Sequence, residues 1–234
     1  GSIGDNAWQV VEHFADVVCR DWRLKDQGVW EVRGESQHFV YSKIMCWVAL
    51  DRAVRLAGAL GRNGSTQRWA ITAAEIKAEV LERGWSEGKQ SFVQRYDSET
   101  LDASNLMIPF VKFLPASDPR VRSTVDAIMR ELGDGPFVRR YDSEETDDGI
   151  GEQEGSFTLV SFWLIGNLVG QGRIELAKDY FEQILGSANH VGLFAEMIDS
   201  RERKALGNFP QAYSHIGFIH TARNLSNALA TVQD

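Results

Sequence analysis

The chain has little of what marks several common protein classes. It holds only two cysteines, Cys19 and Cys46, among 234 residues. Both lie in apolar patterns of helical period, so they read as buried thiols rather than a disulfide, and a reducing, cytoplasmic setting is expected. Basic residues are short: 25 Lys and Arg face 33 Asp and Glu, a net charge of -8. Nucleic acid and anionic membrane surfaces both require a basic face, so neither is an expected partner. No apolar run approaches the roughly 18 residues of a membrane span, and no signal peptide opens the chain. Gly1-Ser2 reads as a tag scar. Zinc-type Cys/His spacing, a P-loop and GxGxxG are all missing, so no metal and no nucleotide cofactor is expected. Strand-type alternation is nearly absent as well.

What remains is rich in helix. Hydrophobic residues make up 43% of the chain and seven are Trp, enough for a large core. Apolar residues recur at three- and four-residue spacing almost throughout. Trp8, Val11, Phe14, Val18 and Trp22 mark a first helix. Ile44, Trp47, Val48, Leu50 and Val54 mark a second, from about Phe39 to Leu60. "STQRWAITAAEIKAEVLERG" predicts a third, capped by Ser65 or Thr66 and closed by Gly84. A fourth is expected over about Asp102–Phe113. "SDPRVRSTVDAIMRELG" predicts a fifth, with Ser117 or Asp118 as cap and Pro119 in the first turn. Three more are expected near Ser156–Val169, Ile174–Leu185 and Ala212–Leu229, so the chain reads as all-α.

These helices alternate in character. Those starting near Phe39, Asp102, Ser156 and Gln211 follow long decorated loops and are apolar nearly all round, as in "SFTLVSFWLIGNLV", which predicts burial on most sides. Those starting near Asp5, Ser65, Ser117 and Gly172 are one-sided and predict an outer, solvated layer. The inner starts lie roughly 54 to 63 residues apart, a period typical of stacked helix pairs. The pentapeptide "RYDSE" fits this period: it stands at Arg95–Glu99 and returns 45 positions later at Arg140–Glu144. The decorated loops should gather on one rim, where loops carry function.

Two of these loops carry a carboxylate among apolar letters. "DQGVWEVRGESQHF" holds Glu31 between Trp30 and Val32. "HVGLFAEMIDSRERKALGNFPQAYSHIG" holds Glu196 between Ala195 and Met197. An apolar setting penalises the charged form, and a neutral carboxylic acid facing a carboxylate base is the equipment of acid–base catalysis. Most Glu residues on helical proteins are solvated; it is the pairing on one rim that singles these two out.

At this point the residues resemble a known family. "GVWEVRG", "HFVYSKIMCWVALDRAV", "LDASNL", "SFWLIGNLV" and, most specifically, "GLFAEMID" with "LGNFPQAYSHIGFIHTA" look like glycoside hydrolase family 15, the family of glucoamylases, glucodextranases and bacterial trehalases, and are nearest its bacterial branch. The resemblance implies an (α/α)6 barrel, two concentric layers of six helices. It implies an inverting, exo-acting hydrolase that releases glucose from α-glucosides, either trehalose or short α-glucans. Glu31 would be the general acid and Glu196 the general base, about 6.5–9.5 Å apart to admit a water. Arg140 and Tyr141 would belong to the site of the non-reducing glucose, with Glu154 where that loop turns into the barrel, and Trp30 would stack on a sugar face. Arg95-Tyr96, one unit earlier, reads as a loop-to-helix packing element.

Two departures limit the transfer. Fungal members carry a second Glu directly after the acid, and here that position is Val32, so the leaving-group side must differ. About eight helices are expected, whereas the barrel has twelve. The family's first helices, with an Arg-Asp pair that clamps glucose, are missing, as is its preceding β-sandwich. Residues 1–234 therefore read as the C-terminal portion of the catalytic domain, expected to self-associate or to pair with the missing N-terminal part. A rival reading is a catalytically silent helical-repeat module that binds carbohydrate or protein on its loop rim. A prenyltransferase-like toroid is disfavoured by the lack of a zinc-ligand set.

Overall fold

A computed structural model of the chain describes residues 3–62, 64–143, 146 and 155–232. Seven α-helices are present among them: α1 (Asp5–Asp21), α2 (Val40–Leu60), α3 (Thr66–Arg83), α4 (Pro119–Glu131), α5 (Thr158–Gly170), α6 (Ile174–Leu185) and α7 (Ala212–Val232). Between α3 and α4 runs a five-residue 3-10 helix, Ala103–Met107. Only short antiparallel strands join them: β1 (Trp85–Ser86) with β2 (Ser91–Phe92), and β3 (Gly133–Asp134) with β4 (Phe137–Val138). A third set orders β5 (Ser156–Phe157), β6 (Met197–Ile198) and β7 (Ala205–Leu206).

The expected α-helix over Asp102–Phe113 is the one element that differs in kind. Its side-chain cap forms, with Asp102 accepting from the Ser104 N–H at 2.7 Å. After the 3-10 turn the chain continues in turns through Pro109 to Phe113. Pro109 has no N–H to donate back to the Asn105 carbonyl, so α-propagation stops where the apolar periodicity continues. At α4 the cap is Asp118, accepting from the Arg120 N–H at 2.9 Å, with Pro119 in the first turn. Ser65 occupies the cap position of α3 without a side-chain bond.

The two layers follow from the patterns. In α5 the residues Val160, Phe162, Leu164, Ile165 and Leu168 are all fully buried, as an all-round apolar helix requires. It packs between α6 and α7, and α2 packs against α1 and α3. Two core clusters result. One gathers α1–α3 around Trp47, Leu50, Trp69 and Ile76. The other gathers α4–α7 around Phe137, Phe162, Phe194 and Leu225. Lys43 is buried in the first, and its ammonium donates to the Trp22 carbonyl at 2.6 Å and the Leu24 carbonyl at 2.5 Å. It thereby satisfies the cap carbonyl of α1 and a carbonyl in the turn that follows. Burial lowers its pKa from the ordinary lysine value.

The duplicated pentapeptide takes equivalent places in successive units, with a slip. In the first copy Arg95 pairs with Phe39, the residue before α2, and the Val40 N–H donates to the Gln94 carbonyl at 3.0 Å. In the second, Tyr141 pairs with Asp102, the cap of the 3-10 helix, and the Ala103 N–H donates to the Arg140 carbonyl at 2.8 Å. The register thus moves by one residue, while the tyrosine is buried in both copies. Tyr96 packs inward, stacked on His38 with the Arg83 guanidinium 4.7 Å from its ring. That is the packing role expected of the first copy.

Both cysteines are free and half-buried. No helix among the described residues is long and apolar enough to cross a membrane.

Candidate active site

The first Glu-bearing loop connects α1 to α2 and is pinned at its base. Asp26 and Gln37 exchange backbone hydrogen bonds at 3.0 and 2.9 Å. The Asp26 carboxylate accepts from the Gly28 N–H at 2.6 Å and from the Ser42 hydroxyl at 2.9 Å. Gly28 has a φ of 70°, and a Cβ there would fall 2.9 Å from the Phe39 ring, so the turn needs glycine. At the tip, Glu31 adopts left-handed backbone with φ 53°, uncommon for a residue with a side chain. Its neighbour Val32 is buried and turns into the core.

Trp30 connects this loop to the second repeat. Its indole N–H donates to both oxygens of the buried Asp102 carboxyl, at 3.0 and 3.2 Å. Its ring meets Tyr141 edgewise at 6.5 Å and Phe157 at 5.8 Å between centroids. The Arg140 guanidinium lies 5.2 Å from the Trp30 centroid, 5.1 Å from Tyr141 and 5.5 Å from Phe157. A cation over aromatic faces at that range is attracted by their quadrupoles. Trp30, Arg140 and Tyr141, expected from sequence to serve one site, therefore form one cluster. Glu154 lies outside the described residues.

Glu196 stands on the β5–β6–β7 sheet, one residue before β6. Its backbone carbonyl accepts from the Thr158 N–H, and its N–H donates to the Asn208 carbonyl, both at 2.9 Å. Its Oε2 accepts from the Asn208 backbone N–H and side-chain Nδ2, again both at 2.9 Å. Gly207 passes so close that a Cβ there would lie 2.7 Å from Oε2. The loop is seated on α7, where the Ser214 hydroxyl donates to the Ala195 carbonyl at 2.9 Å and the Phe194 N–H donates to His215 Nε2 at 3.2 Å.

The link between the two loops is Phe157. It touches Trp30 by its ring and pairs in register with Met197, the residue after Glu196. The flanking letters suggest that both carboxylates sit in enclosed apolar settings, and that expectation is not met. Glu31 is exposed and Glu196 half-buried, because Val32 and Ala195 turn inward in their place.

Sequence reasoning passed over Asp102, Phe157 and Asn208. Asp102 sits in the quoted "LDASNL", but an Asp before a helix reads first as a cap, which it also is. Phe157 and Asn208 act through strand pairing and loop closure, for which no local pattern exists.

Residues 2–223 match the profile of glycosyl hydrolases family 15. The chain is 45% identical over 226 residues to a trehalase of Mycobacterium tuberculosis (strain ATCC 25618 / H37Rv), covering 97% of the chain and 33% of that protein. It thus spans about a third of the length of the curated relatives it matches. Among solved structures, a bacterial glucoamylase complexed with acarbose superposes with a TM-score of 0.79 at 14% identity, over 94% of this chain and 39% of that one. A wild-type glycosidase superposes with a TM-score of 0.75 at 21% identity, over 94% and 64%. These likenesses identify the helical arrangement as part of an (α/α)6 barrel.

Proposed function

Because the chain belongs to glycosyl hydrolases family 15, we propose that it carries the acid–base pair of an inverting, exo-acting hydrolase of α-glucosides. Glu31 is the general acid and Glu196 the general base. The observation that carries the reading is the contact chain from Trp30 through Phe157 to the strand beside Glu196. It couples loops separated by most of the sequence, which a set of unrelated surface carboxylates would not need.

The chemistry assigns each group one task. Glu31 delivers its proton to the glycosidic oxygen as the bond from that oxygen to the anomeric carbon breaks. Glu196 takes a proton from a water on the opposite face, whose oxygen bonds to the same carbon with inversion. An exposed acid on a rim tip gives the leaving sugar a way out. The two N–H donors of Asn208 hold the Glu196 carboxylate in one orientation, with its other oxygen left for water. Trp30 and Arg140, both half-exposed, offer a wall for the non-reducing glucose, and the buried Tyr141 backs them from behind. Among α-glucosides, the name trehalase shared by the relatives favours trehalose.

The same reading makes residues 1–234 the C-terminal portion of a catalytic barrel. Val10 and Phe14 on α1, and Tyr213, Ile216 and Ile219 on α7, are exposed apolar side chains at the two ends of the helix series. Such surface is suited to the remaining helices of the ring, or to a second copy when those are missing. The test is glucose release from trehalose, maltose and isomaltose by the complete protein and by Glu31→Gln. Release that falls by several orders of magnitude in the variant is expected. A variant as active as the parent would remove Glu31 from the mechanism, and no release by the parent would leave a silent sugar- or protein-binding module.

A further inference from the structure

Asp102 is buried, and both of its oxygens are engaged. Oδ1 accepts from the Ser104 N–H at 2.7 Å and from the Trp30 indole at 3.0 Å. Oδ2 accepts from the same indole at 3.2 Å and from Gln94 Nε2 at 3.3 Å. Capping the 3-10 helix uses only the Ser104 contact, which a serine could make as well. The indole contact has nothing to do with the cap. It reaches across 72 residues to the loop that carries Glu31.

The backbone closes that loop tip through the Val32 N–H on the Gln27 carbonyl at 3.1 Å, but at Glu31 itself the N–H reaches the Gly28 carbonyl only at 3.4 Å and the residue sits in left-handed conformation. A strained conformation persists only where its surroundings enforce it. Here the adjoining side chain is enclosed by Asp102 at its N–H edge and by Tyr141 and Phe157 along its ring. We propose that Asp102 is a positioning residue for the acid: by clamping the Trp30 indole it fixes where the Glu31 carboxyl stands. The assignment rests on the reading of Glu31 as the general acid. Asp102 itself is too enclosed to touch a sugar.

The test uses variants that separate the cap from the clamp, in the complete protein. Asp102→Ser keeps a capping oxygen but cannot reach the indole. Asp102→Asn keeps an acceptor in place and is the conservative rescue. Trp30→Phe keeps a ring and removes the N–H. A misplacement on the order of 1 Å at a reacting group can cost about 100-fold. On trehalose, whose leaving sugar needs a proton, Asp102→Ser is expected to lower kcat about 100-fold with KM little changed, and Asp102→Asn by less than about 10-fold. On 4-nitrophenyl α-glucoside, whose leaving group departs with little protonation, the loss in Asp102→Ser is expected to be several-fold smaller. The double variant Asp102→Ser with Trp30→Phe should lose less than the two single losses multiplied together, because both remove the same indole contact.

The leaving-group ratio is the readout that a merely structural role would not move. Equal losses on both substrates, or no loss, would overturn the proposal. Should Asp102→Ser fail to fold, Trp30→Phe with and without Asp102→Asn carries the same comparison. Glu31→Gln run alongside separates the two failures. An active Glu31→Gln sinks the acid assignment and this proposal with it, whereas an inactive one beside an unchanged ratio in Asp102→Ser sinks the positioning role alone.

Discussion

The Phe157 ring lies 5.8 Å from the Trp30 ring while its backbone pairs with Met197. One residue at the start of α5, by its ring on one side and its backbone on the other, thus bridges the residues that adjoin Glu31 and Glu196. Phe157 is only half-buried, so its removal is expected to cost about 1–2 kcal/mol of stability, less than a full core deletion. Phe157→Ala should nevertheless lower kcat/KM by about ten-fold or more, since it removes the ring that props Trp30 beside Glu31 while the strand pairing at Met197 stays. Steady-state kinetics beside urea unfolding would separate the two effects. Near-normal turnover in a folded variant would show that the bridge is only packing.

Gly207 is held to glycine by two separate demands. Its φ is 69°, and a Cβ would stand 2.7 Å from the Glu196 carboxylate. Gly207→Ala should cost about 1–2 kcal/mol from the left-handed backbone. It should also push the flexible carboxylate off the Asn208 donors, with a fall in kcat larger than that stability change explains. Crystallography of the variant would reveal a rotated Glu196.

If Glu196 serves only to activate water, a small anionic nucleophile can take over that task. Glu196→Ala is expected to be nearly inactive in water and partly restored by azide, with β-glucosyl azide as product. Glu31→Gln should show no such rescue with trehalose, because a nucleophile cannot supply the missing proton. Equal azide rescue of both variants would contradict the division of roles.

Lys43 gives the fold a pH dependence of definite sign. Burial holds its pKa below the ordinary value of 10.5. Between the lowered value and 10.5 the unfolded chain keeps a proton that the folded chain has released. Stability from this group therefore rises with pH across that window. Lys43→Met abolishes the contribution and leaves the Trp22 and Leu24 carbonyls without their donor, at about 1–3 kcal/mol each if they stay buried. Urea midpoints at pH about 7 and about 10 should diverge, with wild type gaining on the variant. Parallel pH profiles would refute the assignment.

The layered helices were legible in the sequence because period and all-round apolarity report burial directly, as α2 and α5 illustrate. The carboxylates were legible as motif residues, but their surroundings were not. Val32 and Ala195, read as an apolar wrapping for Glu31 and Glu196, instead turn into the core and leave those carboxylates at the surface or only half-covered. Which neighbour points inward depends on loop conformation, such as the left-handed Glu31, and no pattern of letters encodes it. The same limit hid Asp102: its cap role is local and readable, whereas its bond to Trp30 crosses 72 residues into the neighbouring unit. The one-residue slip between the "RYDSE" copies was equally invisible, since identical letters adopt different registers against Phe39 and Asp102.

The central claim, inversion by Glu31 and Glu196, is tested most directly by the anomer released first. Proton NMR of 4-nitrophenyl α-glucoside hydrolysis by the complete protein, sampled faster than mutarotation, reads it without assumptions about rate. The account predicts β-glucose at the earliest times, with the α-anomer growing in only as mutarotation proceeds. α-Glucose appearing first would mean a retaining mechanism and would contradict the roles given to both carboxylates.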